Sequence, residues 1–468
     1  MHSVLISTYE MGRQPFGLAS AAAWLRDAGW TVTAIDVAKD TARLDAATLA
    51  SADLIAFHLP MHTATRLAEP LIVKARSLNA AARICAFGLY APLNAEWLRS
   101  LGVDDVLGGE FEADLAEVAR AMSGKQPQSS QRAQKKDEYP TRSAISAVAS
   151  SSSVPRLRFL VPDRTGLPPL SKYATLQMPD GQRRLVGYTE ASRGCRHRCR
   201  HCPIVPIYNG QFRIVQPEVV LADVNAQVAA GATHITFGDP DFFNGPTHAM
   251  RIVDALRAAH PSVSYDVTIK VEHLLKHRDL LPRLADTGCA FVTSAVESID
   301  DRALALLDKG HTRADFIDAV ALCRASGVTI VPTFVAFHPW VTLASYCELL
   351  DTISDLELVD HVAPIQLAIR LLVPEGSRLL ELDEMRSHVG GFDPAMLTYR
   401  WSHPDPRVDA LHREITAIVG MRLNADRRAV FAEIRALART RTGLPPAGET
   451  RPARDRATVP YLNEPWYC

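Results

Sequence analysis

No run of apolar residues in the 468-residue chain approaches the roughly 20 needed to cross a bilayer. The start, Met1-His2-Ser3-Val4-Leu5-Ile6, has neither a long apolar core nor a cleavage signal, so a cytoplasmic protein without a membrane partner is expected. An excess of either charge is missing as well. Lys and Arg total 51 against 52 Asp and Glu, for a formal net charge of -1, which argues against a general nucleic-acid binder. Cysteine is scarce, with eight in all, and Cys85, Cys289, Cys323 and Cys347 fall in apolar segments as reduced core residues. The length suffices for two or three domains with sizeable cores.

Against that scarcity, three cysteines crowd into Arg193-Gly194-Cys195-Arg196-His197-Arg198-Cys199-Arg200-His201-Cys202-Pro203. Three thiolates so close repel one another unless a cationic centre holds them. One turn brings Cys195, Cys199 and Cys202 onto a concave face. Three protein ligands to a four-iron cluster leave one iron open for a substrate or cofactor, whereas four would suit electron transfer alone. Arg193, Arg196, Arg198 and Arg200 are expected to favour thiolate and offset the negative cluster. The other reading is a zinc site with His197 or His201 as fourth ligand.

The C-x3-C-x2-C spacing resembles the cluster loop of the radical S-adenosylmethionine (radical SAM) superfamily. The resemblance implies a [4Fe–4S] cluster on Cys195, Cys199 and Cys202, with S-adenosylmethionine chelated at the open iron and cleaved reductively. It further implies oxygen sensitivity, a reductant such as flavodoxin or ferredoxin, and a small-molecule or peptide substrate.

Residues 1 to 122 alternate β-rich runs (Val4–Ser7, Thr31–Asp36, Asp53–Phe57, Arg83–Phe87, Asp105–Leu107) with amphipathic stretches. Such alternation predicts a doubly wound parallel sheet, with ligands beyond the carboxyl ends of its strands. This half resembles the flavodoxin-like cobalamin-binding domain found before the barrel in many radical SAM proteins, and Gly109-Glu110-Phe111-Glu112 fits that pattern. The usual D-x-H-x-x-G is absent, His58 and His62 lack its context, and bound cobalamin is therefore not favoured. Residues 123–157, rich in Ser, Gln and Pro, read as a flexible linker that cannot bury enough surface to repay ordering.

The expected architecture is thus α/β, the amino-terminal sheet being followed by a partial (β/α)6 barrel over residues 158–380 and a helical extension over 381–468. Arg184–Glu190 is expected to deliver the cysteine loop. Thr233–Phe237, Ser264–Ile269, Ala290–Ala295, Thr329–Phe334 and Ala363–Ala368 are the other strand candidates. The active end of a parallel barrel is the carboxyl end of its strands. There the resemblance places the SAM contacts: Gly238 and Asp239 after strand two, Lys270 and Glu272 after strand three, Glu297 and Ser298 after strand four, and Arg370 after strand six. Lys270 and Glu272 lie two apart and on an extended segment point to one side, so the pair reads equally as a contact to the SAM carboxylate and a hydroxyl or as a rim salt bridge. Ser294–Ser298 with Lys309-Gly310-His311-Thr312 resembles a passage of the methylthiotransferase and cobalamin-type subgroups.

Asp405–Val419 and Asp426–Thr440 read as helices capping the barrel. The ending Pro465-Trp466-Tyr467-Cys468 resembles the CUAEP/CCAEP-tail radical SAM family, which implies a selenocysteine codon after Cys468. The leading expectation is an enzyme that cleaves SAM to modify a small molecule or peptide. The alternatives are a cobalamin-dependent methyltransferase, aminocarboxypropyl transfer to a soft acceptor, a methylthiotransferase-like RNA modification, and a zinc-stabilised binding protein. A second cysteine triplet in the amino-terminal domain, expected of a methylthiotransferase, is not there.

Overall fold

The computed structural model describes residues 1–124, 157–422 and 426–446, and the backbone of Tyr461–Leu462. The expected linker lies for the most part, and Cys468 wholly, outside the described residues.

The first sheet is wholly parallel, in the order β2-β1-β3-β4-β5. Its strands are β1 (His2–Ser7), β2 (Thr31–Asp36), β3 (Leu54–His58), β4 (Arg83–Phe87) and β5 (Asp105–Leu107). All five residues of β3 are buried, as a strand covered on both faces demands. Alternate side chains feed two cores. Ile55, Phe57 and Ile84 pack with Ile72 and Leu98 on one face, and Leu54, Ala56 and Phe87 with Leu18, Leu25 and Leu115 on the other. The strand order reverses between β1 and β3, which makes that crease the switch point where such folds hold ligands.

The second sheet has the order β13-β12-β11-β10-β7-β6-β16. Its parallel part, a curled half-barrel, consists of β7 (Arg183–Thr189), β10 (His234–Phe237), β11 (Ser264–Thr268), β12 (Cys289–Glu297) and β13 (Ile330–Phe334). β6 (Thr175–Gln177) runs antiparallel to β7, and β16 (Tyr461–Leu462) antiparallel to β6, so β16 runs in the direction of β7. Between them in the chain, β8 (Ser192–Gly194) pairs antiparallel with β9 (Phe212–Ile214).

Two local expectations are corrected. Ala363–Ala368 does not form a sixth strand: Pro364–Leu367 is a short 3-10 turn, and an isolated parallel bridge, Phe337 to Arg370, lies outside the named strands. Pro364 has no N–H for a ladder. The Gln366 side chain instead accepts the edge N–H of Phe334 at 3.1 Å. Likewise the chain after β11 is not extended, because Val271–Lys276 is a helix that begins just after Lys270.

Helices Pro406–Met421 and Arg427–Thr442 continue the helical layer beside β13. Leu411, Ile415, Phe431 and Ile434 join Tyr346, Leu350 and Ile353 in the barrel core. A hairpin of β14 (Val389–Asp393) and β15 (Thr398–Trp401) precedes them. Its Gly390-Gly391 gives little strand signal, which is why the sequence did not reveal it. No helix among the described residues is long and apolar enough to cross a membrane.

Candidate metal and cofactor site

Beyond the carboxyl end of β7 the β8–β9 pair pinches off a loop, residues 195–211, that carries all three clustered cysteines. Gly194 has φ +74°, and any Cβ there would collide with the Gln211 carbonyl and the Tyr208 ring, so the loop needs glycine at its root. Inside the loop, Cys202 N–H donates to the Cys199 carbonyl at 3.2 Å, and Val205 N–H to the Cys202 carbonyl at 3.2 Å. From outside, Arg200 N–H donates to the Leu307 carbonyl at 2.9 Å, and Arg378 donates to the Arg198 carbonyl at 3.0 Å. The three cysteines are free thiols.

Burial pushes the Cys202 thiol up to about 12, against a backbone hydrogen bond from Ile204, with the nearby Cys199 and Cys195 adding to it. Burial raises Cys195 too. Thiols held this way keep their protons unless a cationic centre replaces them. The donor set of three soft sulfurs on one short loop therefore fits an iron–sulfur cluster.

The loop arginines do not supply the facing charge. Arg193 is bound by Glu112 and Glu190, Arg196 lies over the Phe212 ring, Arg198 donates to Asn209, and Arg200 donates to the Ala305 and Leu306 carbonyls. Two buried lysines supply it instead. Lys270 Nζ lies 3.7 Å from Cys199 Sγ. Burial works against the Lys309 ammonium, but Glu297 and then Cys199 outweigh it and hold its pKa above the usual lysine value.

Glu297 is the hinge of this arrangement. It sits at φ +68° beside an irregularity in the β12–β13 register, a conformation rare for a non-glycine residue and concentrated at functional sites. Its Oε1 is 3.3 Å from Lys309 Nζ and 3.2 Å from His201 Nε2. Burial alone would raise its carboxyl, but Lys309 and His201 bring it down to about 2. Neither Lys309 nor His201 was a sequence-based candidate for this role. The signal was available in Lys309-Gly310-His311-Thr312 and in the residue just before Cys202.

The remaining candidates take more local positions. Asp239 accepts Ala191 N–H at 2.9 Å and Ser192 Oγ–H at 2.5 Å, which ties the root of the cysteine loop to β10. Burial raises its pKa to about 7 in spite of those bonds. Ser298 accepts Asp300 N–H at 3.1 Å, closing a turn. Lys270 and Glu272 are 3.7 Å apart at the rim, and Glu272 also approaches His197 at 3.5 Å. Arg370 is turned towards the carboxyl-terminal region. It donates to Asp409 and to the Trp401 carbonyl, both at 2.8 Å, and stacks on the Trp401 ring. Arg370 therefore already has carboxylate, carbonyl and aromatic partners of its own.

A Cβ on Gly238 would overlap the Tyr188 hydroxyl. Gly238→Ala is expected to cost roughly 1–3 kcal/mol of stability through overpacking. Urea unfolding of the purified variant checks this, and an unchanged midpoint would show that Tyr188 yields freely.

Asp241, fully buried, lies between His273 Nδ1 at 2.7 Å and His197 Nε2 at 3.3 Å. Burial would raise its carboxyl, yet the two imidazoles hold it below the usual range. Ligand atoms of Cys195, His197 and Asp241 lie within 4.8 Å of one another. That mixed set includes only one of the three thiols and so suits the cluster less well than the cysteines together.

Residues 189–353 match the family Radical SAM superfamily, and residues 2–119 match the family B12 binding domain. The chain is 26% identical over 180 residues to the tRNA-2-methylthio-N(6)-dimethylallyladenosine synthase of Chlorobium phaeobacteroides, covering 37% of this chain and 40% of that protein. The match to the enzyme of the same name from Pelodictyon phaeoclathratiforme is 25% over 227 residues, covering 43% and 49%. The chain thus spans less than half the length of these curated relatives. In fold it is similar to the cobalamin-dependent S-adenosylmethionine radical enzyme OxsB with aqua-cobalamin bound. The TM-score is 0.68 at 16% identity, covering 90% of this chain and 67% of that one. It is similar also to the radical S-adenosylmethionine methyltransferase TsrM from Kitasatospora setae, with TM-score 0.57 at 18% identity, covering 76% and 73%. With its three free cysteines in one loop at the carboxyl end of β7, the chain carries a radical SAM domain over residues 189–353, preceded by a B12-binding-type domain over residues 2–119.

Proposed function

We propose that this protein cleaves S-adenosylmethionine reductively and uses the product to modify a small molecule or peptide. The observation that carries the reading is the set of three free thiols on one pinched loop, faced by the buried cations Lys270 and Lys309. A bound [4Fe–4S] cluster supplies the single electron that breaks a carbon–sulfur bond of SAM. Cys195, Cys199 and Cys202 hold the cluster. Lys270 and Lys309 offset its negative charge. Glu297 fixes Lys309 and His201 in place, and its unusual backbone aims its carboxylate at the loop. As proposed SAM contacts, Gly238, Lys270, Glu272, Glu297 and Ser298 all lie at the carboxyl ends of β10, β11 and β12. A low-potential flavodoxin or ferredoxin is the proposed reductant.

The test is anaerobic reconstitution with iron and sulfide, reduction with dithionite, and mass spectrometry of the nucleoside formed from SAM. 5′-Deoxyadenosine with an equivalent of methionine is expected. Methylthioadenosine would point to aminocarboxypropyl transfer instead, and no product from a fully loaded protein would overturn the proposal. A second reading, cobalamin-dependent methyl transfer, is favoured by the B12-binding match and by the likeness in fold to OxsB and TsrM.

A further inference from the structure

The β8–β9 ribbon that closes the cysteine loop carries two arginines directly opposite one another, Arg193 and Arg213. Each is held by a glutamate from one turn of the amino-terminal domain, just after β5. Arg193 pairs with Glu112 and Arg213 with Glu110. The Arg193–Glu112 pair is the deeper one. Glu112 is fully buried, and the Arg193 side chain is 8% exposed. Ser20 Oγ–H donates to Glu112 at 2.7 Å, and Glu190 takes the Arg193 Nε–H at 2.8 Å. Phe16, Phe111 and Phe159 surround the guanidinium, its carbon 4.9–5.8 Å from their ring centres. Arg193 stands two residues before Cys195. A buried ion pair of this depth is costly to break from one side.

The segments after β1 and β3 are also held by residues that follow the amino-terminal domain. Ala174 N–H donates to the Gly12 carbonyl at 2.8 Å. Gln14 donates to the Pro168 carbonyl at 2.8 Å, and Arg13 lies over the Tyr188 ring. His62 Nε2 reaches the Met396 carbonyl at 2.6 Å.

The switch point of the first sheet is filled from within the chain. His58 ends β3 there, 5% exposed, with Nδ1 3.2 Å from Glu10 of the loop after β1. Its ring occupies the space above Gly17, where any Cβ would strike it, and touches the space above Gly88. Phe87 and Phe111 flank it, with ring centres 5.2 and 6.1 Å away. This is the crease in which a doubly wound fold holds its ligand, and an imidazole already occupies it. The residues present therefore do not fit a corrinoid, despite the B12-binding match.

We propose that the amino-terminal domain holds no corrinoid and instead clamps the cluster loop through the Glu112–Arg193 and Glu110–Arg213 pairs, with Arg193 as the main positioning residue. This rests on the radical SAM reading only for what the loop carries. The clamp itself is testable without a cluster.

Three measurements on the full chain test it. First, anaerobic incubation with hydroxocobalamin followed by desalting is expected to leave no corrinoid absorbance, and a stoichiometric corrinoid spectrum would overturn the proposal. Second, in the cluster-free E110Q/E112Q protein, amide hydrogen exchange over residues 192–214 is expected to rise at least about ten-fold, since local opening tracks lost buried contacts. Unchanged exchange would overturn the clamp even if radical chemistry is absent. Third, E112Q loaded with iron is expected to show a broadened electron paramagnetic resonance signal and SAM cleavage slowed at least about ten-fold in kcat with KM little changed. E112D, which keeps the charge, should recover most of both. A spectrum and kcat like those of the wild type in E112Q would refute the positioning role of Arg193.

Discussion

Cys202→Ala, reconstituted anaerobically, is expected to hold well under half of the roughly four irons per chain that a complete cluster brings, and to form no nucleoside from SAM. Cys202 is half-buried beside the buried Cys195 and Cys199. Its thiol is pushed up to about 12 by burial, with Cys199 and Cys195 crowding it, and its backbone takes part in both tight turns of the loop. Alanine keeps those backbone bonds and removes only the sulfur, so the loop should retain its fold while losing one corner of the cluster. Iron and sulfide assays on the same preparation check it, with circular dichroism to show that the fold is kept. Iron content equal to that of the wild type would refute the assignment of Cys202 as a ligand. About one zinc with no sulfide in the wild type would favour the metal-stabilised alternative.

The second large effect concerns Glu297. Glu297→Gln leaves the shape but strips Lys309 of its counter-charge in a site where the lysine side chain is 3% exposed. Breaking a buried pair from one side costs roughly 3–5 kcal/mol. Thermal unfolding of the cluster-free variant is therefore expected to begin on the order of 5 °C lower. SAM affinity should fall as well, while the iron content of reconstituted protein stays near that of the wild type, because Glu297 touches Lys309 and His201 and not a thiol. The double variant E297Q/K309M removes both charges and should recover most of the lost stability. If it recovers SAM affinity too, Glu297 acts only through Lys309. If affinity stays low, the carboxylate itself meets SAM. Calorimetric titration with SAM distinguishes the two.

How far the chain was legible depended on how local each feature is. The parallel sheet of the first domain followed from strand–helix alternation, and all five of its strands lie within a residue or two of the expected positions, from His2–Ser7 to Asp105–Leu107. Helices Pro406–Met421 and Arg427–Thr442 were equally readable, since an amphipathic period repeats over many residues. The turn Pro364–Leu367 misled because its apolar text suits a strand as well as a buried turn, and Pro364 was the contrary signal. The helix Val271–Lys276 is too short for its period to show against an extended reading.

By itself the sequence determined that three sulfurs stand close together. Cys195, Cys199 and Cys202 lie within eight residues and stay neighbours wherever the loop lies, because chain connectivity holds them there. Only the tertiary structure decided what faces them. Four arginines lie within or beside the loop, yet each finds a partner other than the cysteines, and the charge comes from Lys270 and Lys309, 71 and 107 positions on from Cys199 and Cys202 respectively. Tertiary structure also turned Glu110 and Glu112 towards Arg213 and Arg193, and drew His58 into the switch point. The physical reason is the same in each case. A buried charge or ring takes whichever partner packing brings within a few ångströms, and sequence spacing carries no record of that meeting.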